Sequence, residues 1–299
     1  MTLERRAEFL LLFTTFCASA GWIFSKEVIQ GLPPFGFMGL RFFTASLILL
    51  PFCFKHFKTV ALGDVLRSMS VGCLLAGALL CWIYAISISD TLGEGAFIMS
   101  LSVLLAPLVA WVLFKHKPVR EFWLSLPFAI VGLMLLSLSQ GWQGSVSQLW
   151  FLLAAFFLAL HFNFNSRFAQ RMPVMLLTCI QLFVTGVLGL ILSLSVETWP
   201  ATIPSVIWGW FALSVLFATS LRYLTQTMGQ QRVTAANAAI IMILEPIWTV
   251  LLSILWYKEA MPAAKVIGCT MILFSLLLYR GLSNPKIRAF LKRSDLHSS

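Results

Sequence analysis

The sequence predicts an all-α integral membrane protein, ten transmembrane helices in two inverted five-helix repeats, and three observations carry that prediction. The first is composition: of the 299 residues 60% are hydrophobic and 11% charged, with a mean hydropathy of +0.91, against about 45–50% apolar and about 25% charged in soluble domains. The second is segmentation: charge clusters and Pro/Gly breaks cut the chain into ten apolar runs, each near the roughly 20 residues that a helical span needs. The third is a faint internal repeat of five spans, an odd number, which inverts the second half relative to the first. No polar stretch exceeds the C-terminal tail, so no soluble domain is expected to carry a separate function.

The first span, 8–26, follows Arg5 and Arg6 and contains Ala18-Ser19-Ala20. This imitates a secretory signal, but the apolar run continues to Phe24 and more spans follow, so close helix packing through small residues is the expected role. The second, 35–54, holds Arg41 roughly 9 Å inside its end at 1.5 Å per residue. The third is 68–88. The fourth, 92–114, opens on the capping box Thr91-Leu92-Gly93-Glu94 and carries Ser102 and Pro107. The fifth, 121–140, closes the first half. The sixth, 149–168, places His161 and Asn165 on one face at i, i+4. The seventh, 174–195, contains Gln181, and the eighth, 205–225, has Arg222 and Tyr223 near its end. The ninth, 233–256, contains Asn237, Glu245-Pro246 and Trp248, and the tenth is 261–281. The two halves are taken as 1–141 and 149–282, and 283–299 as a basic cytoplasmic tail.

Orientation follows from the basic residues. Of the 21 Lys and Arg, Lys26, Lys258 and Lys265 fall on one side, Arg41 lies within a span, and the remaining seventeen fall on the other. By the positive-inside rule both termini are cytoplasmic. The basic excess is thus topological, with the tail also able to touch anionic lipid, and no nucleic-acid partner is expected. The six cysteines lie in apolar segments without metal-ligand spacing, so neither disulfides, a metal site nor a cofactor is expected.

The repeat superposes residues 91–136 on 234–279, with Ser102 opposite Glu245 and Glu94 opposite Asn237. Near the start of each half, Ser25-Lys26 falls on Ser166-Arg167 and Arg41 on Gln181, at a shift of 140 to 141. Inverted repeats mark secondary transporters, whose substrate site lies between the halves near the midplane.

A charge at the centre of a span costs about 2.5–3.5 kcal/mol or more, so each one calls for a function or a partner. Glu245 is the deepest, a candidate proton carrier or partner for a substrate amine; the alternative is a protonated side chain bonded to a neighbouring helix. Pro246 removes a backbone donor beside it and Pro107 does so in the first half, making both candidate helix breaks. Arg41 suits a substrate carboxylate or an outer gate with Glu94 or Asp90, or snorkels to headgroups. His161 and Asn165 suit a polar wall, or bond other helices. Gln181, Arg222 and Tyr223 suit an inner gate, with plain anchoring as the alternative for Arg222. Trp22 and Trp248 adjoin polar positions and are the tryptophans assigned to the cavity; Asn237 and Ser102 complete the candidate substrate set.

"GLPPFGFMGLRF" between the first two spans and "LEPIWTVLLSILWYKE" in the ninth, in that order on ten spans, resemble the EamA-type carriers of the drug/metabolite transporter superfamily. The resemblance covers essentially the whole chain. It implies a bacterial inner-membrane carrier, often an exporter of amino acids or other small metabolites. Two features depart from the family pattern: Val103 stands where the first-half proline is usual, with Pro107 a turn later, and His116 stands where an acidic residue is expected. A mechanism needing acidic groups in both halves is therefore not expected. The repeat and the intramembrane charges predict a transporter of a small-molecule metabolite working by alternating access, monomeric or homodimeric, with proton coupling through Glu245 as one option. A non-transporting sensor or scaffold subunit and a membrane-embedded enzyme are the alternatives, the last disfavoured by four scattered His without a metal or nucleophile motif.

Overall fold

The computed structural model describes residues 3–58, 60–88, 92–137, 145–257 and 263–283, and all of its regular structure is helical. The first half comprises α1 (Leu3–Val28), α2 (Pro34–Cys53) with a 3₁₀ extension, α3 (Leu62–Ser87), α4 (Leu92–Phe114) and α5 (Arg120–Ser137). The second comprises α6 (Val146–Ala169), α7 (Val174–Val196), α8 (Ser205–Val215), α9 (Arg222–Gln230), α10 (Ala235–Met242), α11 (Glu245–Tyr257) and α12 (Ala263–Ser283). A π-helical turn, Leu216–Leu221, joins α8 and α9 into one rod. A two-residue turn at Ile243 and Leu244 separates α10 from α11. The twelve helices thus form ten rods among the described residues. Six of them, of 23 to 26 residues, are long and apolar enough to cross a membrane.

Several helices outrun the apolar runs that announce them. α1 begins at Leu3 and α3 at Leu62, taking in Glu4, Arg5 and Arg6 and Asp64 and Arg67. Hydropathy marks the edge of the hydrocarbon, whereas a helix can continue into headgroup and water, where Arg67 and Asp64 pair at 2.8 Å. The eighth rod runs five residues past 225, to Gln230, for a different reason: Thr225, Gln226, Thr227 and Gln230 are polar yet buried within the protein.

The burial pattern is inside out relative to a soluble domain. Phe52, Leu194 and Leu255 are exposed, while Thr14, Ser19, His161, Gln181 and Gln230 are buried. The apolar core clusters around α2, α3 and α7 through Phe37, Phe42, Leu75, Leu176 and Leu182. Between helices that all present apolar faces to lipid, association depends on close packing and hydrogen bonds.

The two most extensive helix pairs are α2 with α7 and α5 with α12, each helix against its own repeat mate. Both pairs are antiparallel. Along α2, Gly39, Phe43 and Ser46 meet Leu190, Gly186 and Cys179 in descending order on α7, and Ser125 and Gly132 of α5 meet Ser275 and Gly268 of α12. A Cβ on Gly39 would lie 2.5 Å from the Leu190 nitrogen, and one on Gly132 2.9 Å from the Gly268 carbonyl oxygen. Only glycine allows backbones so close. The remaining large pairs also exchange when the halves are exchanged: α3 packs on α6 as the α8–α9 rod packs on α1, and α4 on α6 as α10 and α11 pack on α1. An inverted repeat requires this pattern.

Candidate functional site

Glu245 opens α11, immediately after the break in the ninth rod. Pro246 follows in the first turn, where a missing N–H removes no helix bond. The N-terminus of a helix also favours a negative charge. The backbone breaks at Ile243 and Leu244, just ahead of Glu245 and Pro246, and the Trp248 backbone N–H donates to the Leu244 carbonyl across the start of α11 at 3.2 Å. The Glu245 backbone carbonyl accepts from Ser19 Oγ of α1 at 3.1 Å and Thr249 Oγ1 at 3.0 Å.

Its carboxylate joins the two halves. Trp22 Nε1 of α1 donates to Oε1 at 3.3 Å, and Arg222 Nη2 of α9 lies 3.9 Å from Oε2. Arg222 and Glu245 retain 17% and 23% side-chain exposure, so the pair is reachable rather than sealed. The Trp22 ring meets that of Trp82 of α3 edge-on at 5.1 Å, and Trp248, one turn beyond Glu245, packs edge-on against Phe16 at 6.0 Å. Arg222 is the first residue of α9 after the π turn, a local widening that re-aims the residues following it and recurs at functional sites. The rod continues eight residues beyond Arg222 to Gln230, and Arg222 faces Glu245.

Arg41 lies one layer away. Its Nη1 donates to Ser25 Oγ at 2.9 Å, its Nη2 to the Ala218 carbonyl at 2.9 Å and its Nε to Thr219 Oγ1, while Phe37 and Phe42 flank the guanidinium. It is buried and does not snorkel. Its expected gate partners, Asp90 and the side chain of Glu94, lie outside the described residues.

A third cluster occupies the opposite layer. His161 Nε2 and Gln181 Oε1 are 2.7 Å apart, Gln181 Nε2 donates to Asn165 Oδ1 at 3.2 Å, and Asn165 Nδ2 donates to Gln230 Oε1 at 2.5 Å and Thr227 Oγ1 at 3.3 Å. All are buried. Both halves bond their first and second helices at the same spacing: Ser25 with Arg41 and Asn165 with Gln181, each pair 16 residues apart, although the sequence repeat sets Ser166, not Asn165, opposite Ser25. Along the α8–α9 rod the layers follow in order at Thr219, Arg222 and Gln230, the last two about 12 Å apart at 1.5 Å per residue. Tyr223 is buried between them, edge-on to Phe42 at 5.5 Å with Arg222 over its ring at 4.7 Å.

Three further candidates stand apart. Asn237 Oδ1 accepts from Tyr279 Oη of α12 at 2.7 Å, and its N–H donates to Thr234 Oγ1 at 3.2 Å, a helix cap. Ser102 is buried in α4, and among the described residues no hydrogen bond links it to the Glu245 cluster. Pro107 does not break its helix: α4 is continuous from Leu92 to Phe114. The carbonyl of the adjacent Ala106 accepts from Asn163 Nδ2 of α6 at 2.8 Å.

The sequence did not single out Trp82, Thr219, Gln226 or Gln230. For the glutamines a signal was available: "RYLTQTMGQ" is polar at helical spacing where a span was still in progress.

Comparison with known proteins agrees with this architecture. The model of the "EamA-like transporter family" matches twice, at residues 5–138 and 146–281. An "Uncharacterized transporter" of Archaeoglobus fulgidus is 24% identical over 255 residues, 85% of this chain and 79% of that one. A solved structure described as "Crystal structure of protein" superposes with a TM-score of 0.79 at 15% identity, covering 94% of this chain and 99% of the other, and shares its fold. With both halves matched and the ten-rod inverted fold in place, the chain belongs to the EamA-like transporter family: it is a multi-pass membrane transporter of the drug/metabolite transporter superfamily and not an enzyme.

Proposed function

We propose that the protein is a secondary transporter of the bacterial inner membrane, with both termini cytoplasmic. It exports a small metabolite such as an amino acid by alternating access. Glu245 is the group on which transport turns, taking either a proton or the substrate's amine. The observation that carries this reading is the position of Glu245: at the start of a broken helix, partly accessible, and held by Trp22 of one half and Arg222 of the other. A carboxylate bridging the halves changes its contacts when they rock, and a charge it gains or loses biases that motion. Its distance from Arg222, beyond a direct hydrogen bond, leaves both groups available to a third party. No acidic residue stands at the repeat-related position, which is Ser102, so one half supplies the titratable group.

The test is transport by proteoliposomes loaded with a panel of amino acids and related metabolites, with and without a pH gradient. Wild-type protein should move at least one class of solute, and Glu245→Gln should lose that flux or its pH dependence. Wild-type rates with unchanged pH dependence in Glu245→Gln would falsify the role of Glu245. Orientation is supported by the one-sided distribution of Lys and Arg, and reporter fusions to each terminus should report both as cytoplasmic.

A further inference from the structure

Among the described residues, three of the buried polar groups left unpartnered around Glu245 are donors, while Gln226 Oε1, one turn along α9 from Arg222, is an unpartnered acceptor. Arg222 Nε, Trp82 Nε1 and Trp248 Nε1 are buried without a hydrogen-bond partner among the described residues, and all three are donors. Buried N–H groups are nearly always paired, and indole N–H groups almost always find an acceptor when desolvated. These three belong to one neighbourhood. Trp82 packs on Trp22, Trp22 donates to Glu245, Arg222 faces the same carboxylate, and Trp248 is one turn along α11. Trp82 is itself more than nine-tenths buried. The Arg222 guanidinium shares a hydrogen bond with the Tyr223 side chain, but its Nε is unpartnered and its nearest approach to Glu245 is 3.9 Å. Among the described residues around Glu245, these three donors are left without an acceptor.

We propose that Arg222 is the residue that binds the substrate's carboxylate, with the indole N–H groups of Trp82 and Trp248 completing the donor set, so that the transported solute is a small carboxylate. A planar guanidinium matches a carboxylate in two-pronged fashion, which no single indole can do. The surrounding rings suit a compact solute with an apolar body. The proposal rests on the reading of the Glu245 site as the transport site. It adds to that reading the residue that selects the solute and the chemical group it selects.

The test uses purified full-length protein and six probes: alanine, leucine, phenylalanine, butyrate, succinate and benzoate, each paired with its carboxamide. Apparent affinities come from the ligand-induced rise in melting temperature in detergent. Wild-type protein should prefer at least one acid over its amide by about tenfold to a hundredfold, the size of a charge-assisted hydrogen-bonded contact. Arg222→Gln should bring that ratio near one, and Arg222→Lys should weaken binding while keeping the preference. The proposal is overturned if wild-type protein binds acids and amides alike, if no acid shifts the melt, or if the Arg222→Gln variant keeps the preference. Because Arg222→Gln leaves Glu245 without its counter-ion, the double variant Arg222→Gln/Glu245→Gln, which carries neither charge, is measured beside it with the same expected and overturning ratios. The underlying reading fails separately, if Glu245→Gln transports as wild type whatever the acid-to-amide ratio.

Discussion

Glu245 and Arg41 meet the cost of a charge at bilayer depth in opposite ways. Glu245 starts a helix, faces an arginine and stays reachable, an arrangement that permits exchange of partners. Arg41 is sealed, and its donors end on two hydroxyls and a carbonyl drawn from both halves. A buried cation so fully bonded is a cross-brace. Arg41→Lys keeps the charge but cannot reach three acceptors with one ammonium, and the variant should lose about 1–3 kcal/mol of stability, read as a lowered melting temperature in detergent. The presence of both charges was legible in the sequence, since lone charges in apolar runs stand out. Their partners were not, because Thr219 and Ser25 are unremarkable hydroxyls until a neighbouring helix brings them to Arg41.

At the level of the helix, two prolines with similar sequence surroundings have different consequences. Pro246 stands at the start of α11 beyond a real break, and Pro107 sits inside a continuous α4. Pro246→Ala lets the ninth rod close over the break, and transport should fall more for this variant than for Pro107→Ala, measured as flux per folded protein in the same liposomes. Glycines divide similarly. Gly39 lies against the backbone of α7, so Gly39→Val should force α2 and α7 apart and cost about 1–3 kcal/mol or more, seen as reduced folded yield and a lower melting temperature. Gly209 has nothing within 4 Å of an added Cβ, so Gly209→Ala should leave the melt unchanged or raise it by the helix-propensity difference, up to about 1 kcal/mol. Sequence alone shows a glycine in an apolar run; the neighbouring helix decides whether it is a contact or a vacancy in the helix surface.

For the molecule as a whole, α1 of the first half and α9 of the second are joined by the Thr14 and Thr225 hydroxyls, 2.8 Å apart. If transport requires the halves to move against each other, the pair Thr14→Cys/Thr225→Cys should stop flux when oxidised and recover it with a reductant, while either single substitution should not respond. Flux that persists in fully cross-linked protein would place the moving boundary elsewhere. The sequence by itself determined the membrane class, the ten spans and the inverted halves, because hydropathy and span parity are properties of the chain that the bilayer reads directly. It also marked Glu245, Arg41, His161 and Gln181 as out of place. Only the tertiary structure decided which of these meet: His161 with Gln181 and Asn165, Arg41 with Thr219, and Glu245 with Arg222, a residue that the sequence placed at a membrane edge. The physical reason is that a helix continues past its apolar stretch wherever protein rather than lipid covers it, and that cover is supplied by helices distant in sequence, whose contacts leave no periodic trace in the chain itself.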